Sequence, residues 1–174
     1  MSNAVIDPNP TVFRLRRAGL EIEIRPLQPG EEDAFRILNE QWIAKYFRIE
    51  EKDREVLCDP VGKILEQGGH IFLAVAGSAR IGTCALLAME PGIFELAKMA
   101  VDEKYRGAGI GRSLLEYVMV EARRLGAHRL YLETNNSLSN AIHLYESVGF
   151  RHLAPERVEP SPYARANVFM EKLL

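Results

Sequence analysis

Apolar positions along this chain follow two periods, one of two residues and one near 3.6, and the two take turns. Glu21-Ile22-Glu23-Ile24-Arg25 alternates polar and apolar residues, the mark of a half-buried strand. After Pro29-Gly30, the acids Glu31, Glu32 and Asp33 open a helix whose apolar stripe runs through Ala34, Ile37, Leu38, Trp42 and Phe47. A polar stretch from Glu50 leads to Asp59-Pro60, the N-cap and first residue of a second helix to about Gln67, which Gly68-Gly69 ends. Residues 70–76 and 80–89 are strands joined at Gly77-Ser78-Ala79, and Pro91-Gly92 turns the chain into a third strand over 94–101. Ile110, Leu114, Leu115, Val118, Ala122 and Leu125 then recur at helical spacing, with Gly126 as the cap. Residues 129–133 make the next strand, 139–148 a short helix and 166–173 a closing strand. Residues 1–19, containing Asp7-Pro8-Asn9-Pro10, read as an irregular arm ahead of a single domain over 20–174.

The resulting order, β-α-α-β-β-β-α-β-α-β, predicts an α/β fold: a mixed, mostly antiparallel sheet flanked by helices. The strand–helix–strand segment around residues 111–126 should be a right-handed parallel unit. A chain of 174 residues suits one domain that buries a full core without a disulfide or metal staple. A net charge of −2 argues against nucleic acid or an anionic membrane as the main partner. The one dense basic cluster, Arg14, Arg16 and Arg17, reads as part of a solvated arm. No segment approaches the ~20 apolar residues of a membrane span, and residues 1–19 lack a signal-peptide core. With only Cys58 and Cys84, far apart in sequence, reduced thiols in a cytoplasm are expected. The four histidines show no metal-ligand spacing, so no metal site is expected.

The chemistry concentrates in residues 94–113, FELAKMAVDEKYRGAGIGRS. An apolar strand ends at Val101, a polar connector follows, and Arg106-Gly107-Ala108-Gly109-Ile110-Gly111 opens an amphipathic helix. Alternate glycines let the backbone approach a ligand and turn its N–H groups inward. The helix start adds unpaired donors and the positive end of its dipole. Either this is a tight strand-to-helix connection, or it is a phosphate or pyrophosphate site with Arg106 and Arg112 as added donors. No Gly-Lys-Ser/Thr ends the run, which excludes a Walker loop, and the G-x-G-x-G spacing fits a dinucleotide fingerprint poorly.

The whole string decides between them. Val101 followed by Arg106-Gly-x-Gly-Ile-Gly resembles the acyl-CoA pyrophosphate loop of GCN5-related N-acetyltransferases (GNAT). Asn140-Ala141-Ile142-His143-Leu144-Tyr145, then Gly149-Phe150, resembles that family's second signature. The resemblance covers roughly residues 20–174 and is sharp between about 94 and 150. It implies the family's fold with one further strand near 150–153, and acetyl-CoA as cosubstrate. It also implies that residues 106–113 (Arg106 to Ser113, with Ala108, Ile110 and Arg112) bind the pyrophosphate mainly through backbone amides. On the same ground Met99, Ala100 and Val101 line the acyl arm, the N–H groups of Met99 and Val101 polarise the acyl carbonyl, and Asn140 contacts the pantetheine.

Tyr145 aligns with a tyrosine placed near the acyl sulfur, where a protonated phenol can serve the departing thiolate; the alternative is a core aromatic at the helix end. Asn140 or Ser139 could instead be a helix N-cap. Glu95, six residues before Val101, shares a face with Ala97, Met99 and Val101 at period two. It resembles the general base of the family's histone-acetylating branch, or else is a strand-edge charge beside Lys98. Acceptor walls are expected from the helices between Gln28 and Gln67 and from the three-proline loop 155–165. In that loop Glu156, Glu159 and Arg165 are either orienting groups or ordinary exposed charges. The resemblance implies acetyl transfer to a primary amine by direct attack, and a small metabolite or amino-acid-like amine is the expected acceptor; a monomer and a homodimer are both open. A protein or peptide acceptor, or a non-catalytic acyl-CoA sensor, are the alternatives.

Overall fold

Strands expected from alternation take adjacent places in one sheet. The structure, a computed structural model, describes residues 12–174. Its strands are β1 (Phe13–Arg17), β2 (Leu20–Pro26), β3 (His70–Ala76), β4 (Ala79–Glu90), β5 (Ile93–Val101), β6 (Arg129–Thr134), β7 (Arg151–His152) and β8 (Val168–Leu173). They form an eight-stranded sheet in the order β1-β2-β3-β4-β5-β6-β8-β7. Only β5 and β6 pair in parallel, as their long helical crossover requires.

Helices α1 (Glu32–Tyr46), α2 (Glu51–Cys58), α3 (Ile110–Arg124) and α4 (Ser139–Ser147) cover the two faces. The α3 stripe of Ile110, Leu114, Leu115, Val118 and Ala122 packs against Ile24, Phe72, Ala74, Leu86 and Leu132. On the opposite face Phe35 and Ile43 of α1 and Val56 and Leu57 of α2 pack on Ile71 and Ala85. Gly126, at φ +84°, ends α3, and Ala127 N–H closes the cap on the Ala122 carbonyl.

Three local expectations change. Residues 13–17 form an edge strand rather than an irregular arm, with Arg14 and Arg16 paired to Glu23 and Glu21 of β2; Asp7-Pro8-Asn9-Pro10 lies outside the described residues. The polar stretch after Glu50 is a helix, because Asp53 accepts the Glu50 N–H at 2.9 Å and caps it. Apolar periodicity is blind to α2, which buries only Val56 and Leu57 among its apolar residues. The helix expected over 59–67 contracts to one wide turn, Val61–Leu65, in which Glu66 N–H reaches the Val61 carbonyl.

Candidate active site

Parallel pairing of β5 with β6 runs through Ile93–Arg129, Phe94–Leu130 and Glu95–Tyr131 and then stops, although β5 continues to Val101. The strands diverge, and the gap becomes a cleft. Register along the other edge slips as well: Ala97 faces Ala85 and Ala100 faces Thr83, so β5 holds one extra residue there. Lys98 sits in this bulge at φ +52°, a left-handed conformation costing an ordinary residue about 1–2 kcal/mol.

That bulge reverses side-chain parity and corrects the expected face. Glu95 and Ala97 stand with Ala85 and Leu87 toward α1, whereas Met99 and Val101 lean on α3, each near Gly111. Glu95 still reaches the site, because a cavity of about 110 Å³ is lined by Glu95, Lys98, Met99, Glu133, Tyr145, Tyr163 and Arg165, with Trp42 and Phe47 among its apolar walls. Beside it, sharing Met99 and Tyr145, lies an open cleft of about 520 Å³.

This second cleft gathers most of the predicted cofactor residues: Met99, Ala100, Val101, Arg106, Gly107, Gly109, Ile110, Gly111, Arg112 and Asn140. Gly107 and Gly109 take φ +79° and +76°, which a side chain would oppose. Among the described residues, no acceptor is found for the backbone N–H groups of residues 107–112. Ser113 differs, since its N–H is already held by the Gly109 carbonyl and its side chain is buried. Ala108 leans on the core instead of the cleft. Arg106 is fixed by the Val101 carbonyl at 3.1 Å and the Tyr46 hydroxyl at 2.9 Å, while Arg112 reaches Ser147. Neither Asn140 nor Ser139 caps α4: Leu138 occupies the N-cap without a side-chain bond, and Asn140 stands exposed at the cleft.

Tyr145 lies where cavity and cleft meet, its ring edge-on to Phe150 at 5.9 Å. Burial pushes its phenol well above the ordinary range, so it stays protonated at neutral pH. Burial also pushes the Glu95 carboxyl up to about 7, with the Glu133 charge adding to the rise and Lys98 opposing it. A carboxyl so placed can both accept and release a proton near neutrality.

Several residues of the cavity escape sequence reasoning. Lys98 Nζ lies 2.8 Å from Asp53 and 3.0 Å from the Tyr163 hydroxyl. Arg165 grips both Asp53 oxygens at 2.6 and 2.8 Å and Glu50 at 3.0 Å, and lies over the Tyr163 ring. Burial opposes the Asp53 charge, yet the Arg165 and Lys98 contacts overcome it and hold the carboxyl down at about 2. Arg165 is therefore a wall residue and not a surface charge; Glu156 and Glu159 are exposed. The sequence signals the loop, by its prolines and Tyr163, and offers Arg165 as either an orienting group or an exposed charge, but it does not show the Asp53 partnership.

A family model described as the acetyltransferase (GNAT) family matches residues 32–150. The chain belongs to that family. YjgM of Escherichia coli (strain K12), an uncharacterized N-acetyltransferase, is 35% identical over 99 residues, covering 55% of this chain and 59% of that protein. The match thus spans about three fifths of that relative's length. A Bacillus subtilis acetyltransferase crystallised with CoA is similar over 67% of this chain and 83% of its own, at 28% identity and TM-score 0.55. A GNAT-family acetyltransferase from Staphylococcus aureus Mu50 reaches TM-score 0.78 over 87% of this chain and 98% of its own, at 23% identity, a likeness of fold. Among the described residues no helix is long and apolar enough to cross a membrane.

Proposed function

We propose that this protein transfers an acetyl group from acetyl-CoA to a small primary amine by direct attack. One observation carries the reading: the unpartnered amides of residues 107–112 open onto the same cleft that leads, past Tyr145, to the half-buried Glu95. A pyrophosphate needs such donors, and the positive end of α3 reinforces them. When bound, acetyl-CoA supplies the acyl carbonyl and the sulfur leaving group.

The chain's own residues then divide the proton work. Glu95 takes a proton from the incoming ammonium, and the freed nitrogen lone pair forms the C–N bond. N–H groups of Met99 and Val101, on the divergent part of β5, receive the developing oxyanion. As the C–S bond breaks, Tyr145 gives its proton to the sulfur, the second amine proton restores the phenol, and Glu95 releases the first to solvent. No covalent acetyl-enzyme is involved: Cys84 is fully buried beside β5, burial raises its thiol far above the range of a nucleophile, and Cys58 lines neither cavity nor cleft. Two free thiols suit a cytoplasmic protein.

Small acceptors are favoured by the size of the inner cavity, about 110 Å³, with Tyr163 and Arg165 in its wall. The test is a screen of primary amines for CoA thiol release from acetyl-CoA, with mass detection of the N-acetyl product. Thiol release that tracks one or a few small amines is expected. Acetylation confined to peptides or proteins would replace the small-amine acceptor, and tight acetyl-CoA binding with no acceptor at all would make the domain a sensor.

A further inference from the structure

The inner cavity has a charge pattern that acetyl transfer alone does not require. Glu95 and Tyr131 are register partners at the last paired position of β5 and β6, and Glu133 follows two residues later on the same face. Two carboxylates therefore stand side by side where the strands part, and both line the cavity. Glu133 accepts hydrogen bonds from the Tyr131 hydroxyl at 3.0 Å and the Ser161 hydroxyl at 2.5 Å. Those neutral donors orient it and leave its charge uncompensated. Among the described residues Glu95 has no hydrogen-bond or ion-pair partner.

The cations of the same cavity are committed elsewhere. Lys98, its side chain 6% exposed, is spent on Asp53, which is fully buried. Arg165 is held in the two-oxygen grip of Asp53 and by Glu50, its plane stacked on Tyr163. Lys98 and Arg165 are thus matched by Asp53 and Glu50, and the surplus in the cavity belongs to Glu95 and Glu133. Trp42, Phe47, Leu138 and Tyr163 supply apolar wall, which lowers the local dielectric and sharpens the selection by charge.

We propose that the acceptor is a compact primary amine without a carboxylate, an arylalkylamine or short diamine rather than the parent α-amino acid, and that Glu133 holds its ammonium while Glu95 takes the proton. This rests on the acetyltransfer reading above. An α-carboxylate sits one carbon away from the reacting nitrogen. It would have to enter beside Glu95 and Glu133, and the cations that could receive it would first have to leave Asp53. Like charges brought together in such a site are strongly rejected. An amine without the carboxylate brings only positive charge to the pair.

Matched acceptors test this with the wild-type protein: tyramine against tyrosine, phenethylamine against phenylalanine, and putrescine against ornithine acetylated at its α-nitrogen (resolved by fragment masses), each assayed with acetyl-CoA for kcat/KM. The expected preference for the carboxylate-free partner is roughly 10²-fold, the discrimination that like-charge contact at low dielectric supplies. Glu133→Gln should shrink that ratio toward unity while the acetyl-CoA Kd stays within a factor of about two. A Glu133 that served only the fold would lower Tm and leave the ratio alone, which would overturn its assigned role. Equal or better turnover of the amino acids would overturn the acceptor class and leave acetyl transfer standing. Turnover of none of the six, with acetyl-CoA bound normally, would overturn both.

Discussion

Glu95→Gln should cost activity and raise stability, and the two effects should share one pH window. Glu95 is driven from 4.5 up to about 7, chiefly by burial. Because the folded value lies above the unfolded one, the native state holds the extra proton between pH 4.5 and about 7. Stability on this account is fully present below 4.5 and lost as pH rises through about 7. The shift corresponds to about 3 kcal/mol as a ceiling, and the solvent reaching the cavity makes about 2 kcal/mol the working figure. For a chain of this length that is roughly 4–8 °C in Tm at pH 8, gained by the neutral glutamine, with no difference near pH 4. Activity moves the other way. In the wild type kcat/KM should be half-maximal near pH 7 and level off above it, as Glu95 ionises. The variant should keep climbing toward the pKa of the acceptor amine, being slower by about 10²-fold at pH 7 and nearly recovered at high pH. Calorimetry and thiol release across pH 4–10 read both curves. Parallel pH–rate profiles, with Tm unmoved at pH 8, would refute the placement of Glu95 as a buried base; a rise in KM alone would make it a residue that holds the ammonium.

Other perturbations probe the remaining parts. Tyr145→Phe should lower kcat by about 10²-fold with acetyl-CoA affinity nearly intact, because the phenol hydroxyl and not its ring does the work; unchanged turnover with a good amine would return Tyr145 to the core. Asp53→Ala leaves Lys98 without its ion-pair partner and Arg165 with Glu50 alone, and should destabilise by about 3–5 kcal/mol, measured by denaturant unfolding at pH 7. For Asp53 itself, lowered from 3.8 to about 2, the stabilisation is present above pH 3.8 and lost as pH falls through about 2. Lys98→Gly relieves the left-handed strain yet removes one Asp53 partner, so a net loss of stability is expected, and a net gain would show that the bulge does not depend on the ion pair.

The glycine loop, the α3 stripe and the central strands were legible because their residue types carry their own geometry. Gly107 and Gly109 sit at the positive φ that only glycine adopts easily, and Ile110 to Ala122 repeat at helical spacing. Tyr145 and Phe150 could be paired from a motif, and they touch. What stayed hidden came from long-range pairing. The bulge at Lys98 has no sequence mark, since lysine is a poor residue for φ +52°, and it alone inverts the face on which Met99 and Val101 lie. Asp53 sat within a charged run whose partners are 45 and 112 residues away, Lys98 and Arg165. Glu133 gained its meaning only when β6 brought it beside Glu95. Periodicity reports burial along one element; it cannot report what a strand three elements later places opposite.

Ligand-dependent thermal unfolding tests most directly whether the loop at residues 107–112 is an acyl-CoA pyrophosphate site. CoA and acetyl-CoA should each raise Tm, by the equivalent of about 2.7 kcal/mol at a hundredfold excess over Kd, while NAD and ATP raise it much less. Gly109→Glu should abolish the CoA shift, since its carboxylate would be aimed at the bound phosphates. Equal shifts from all four ligands, or a CoA shift that survives Gly109→Glu, would contradict the assignment of the site.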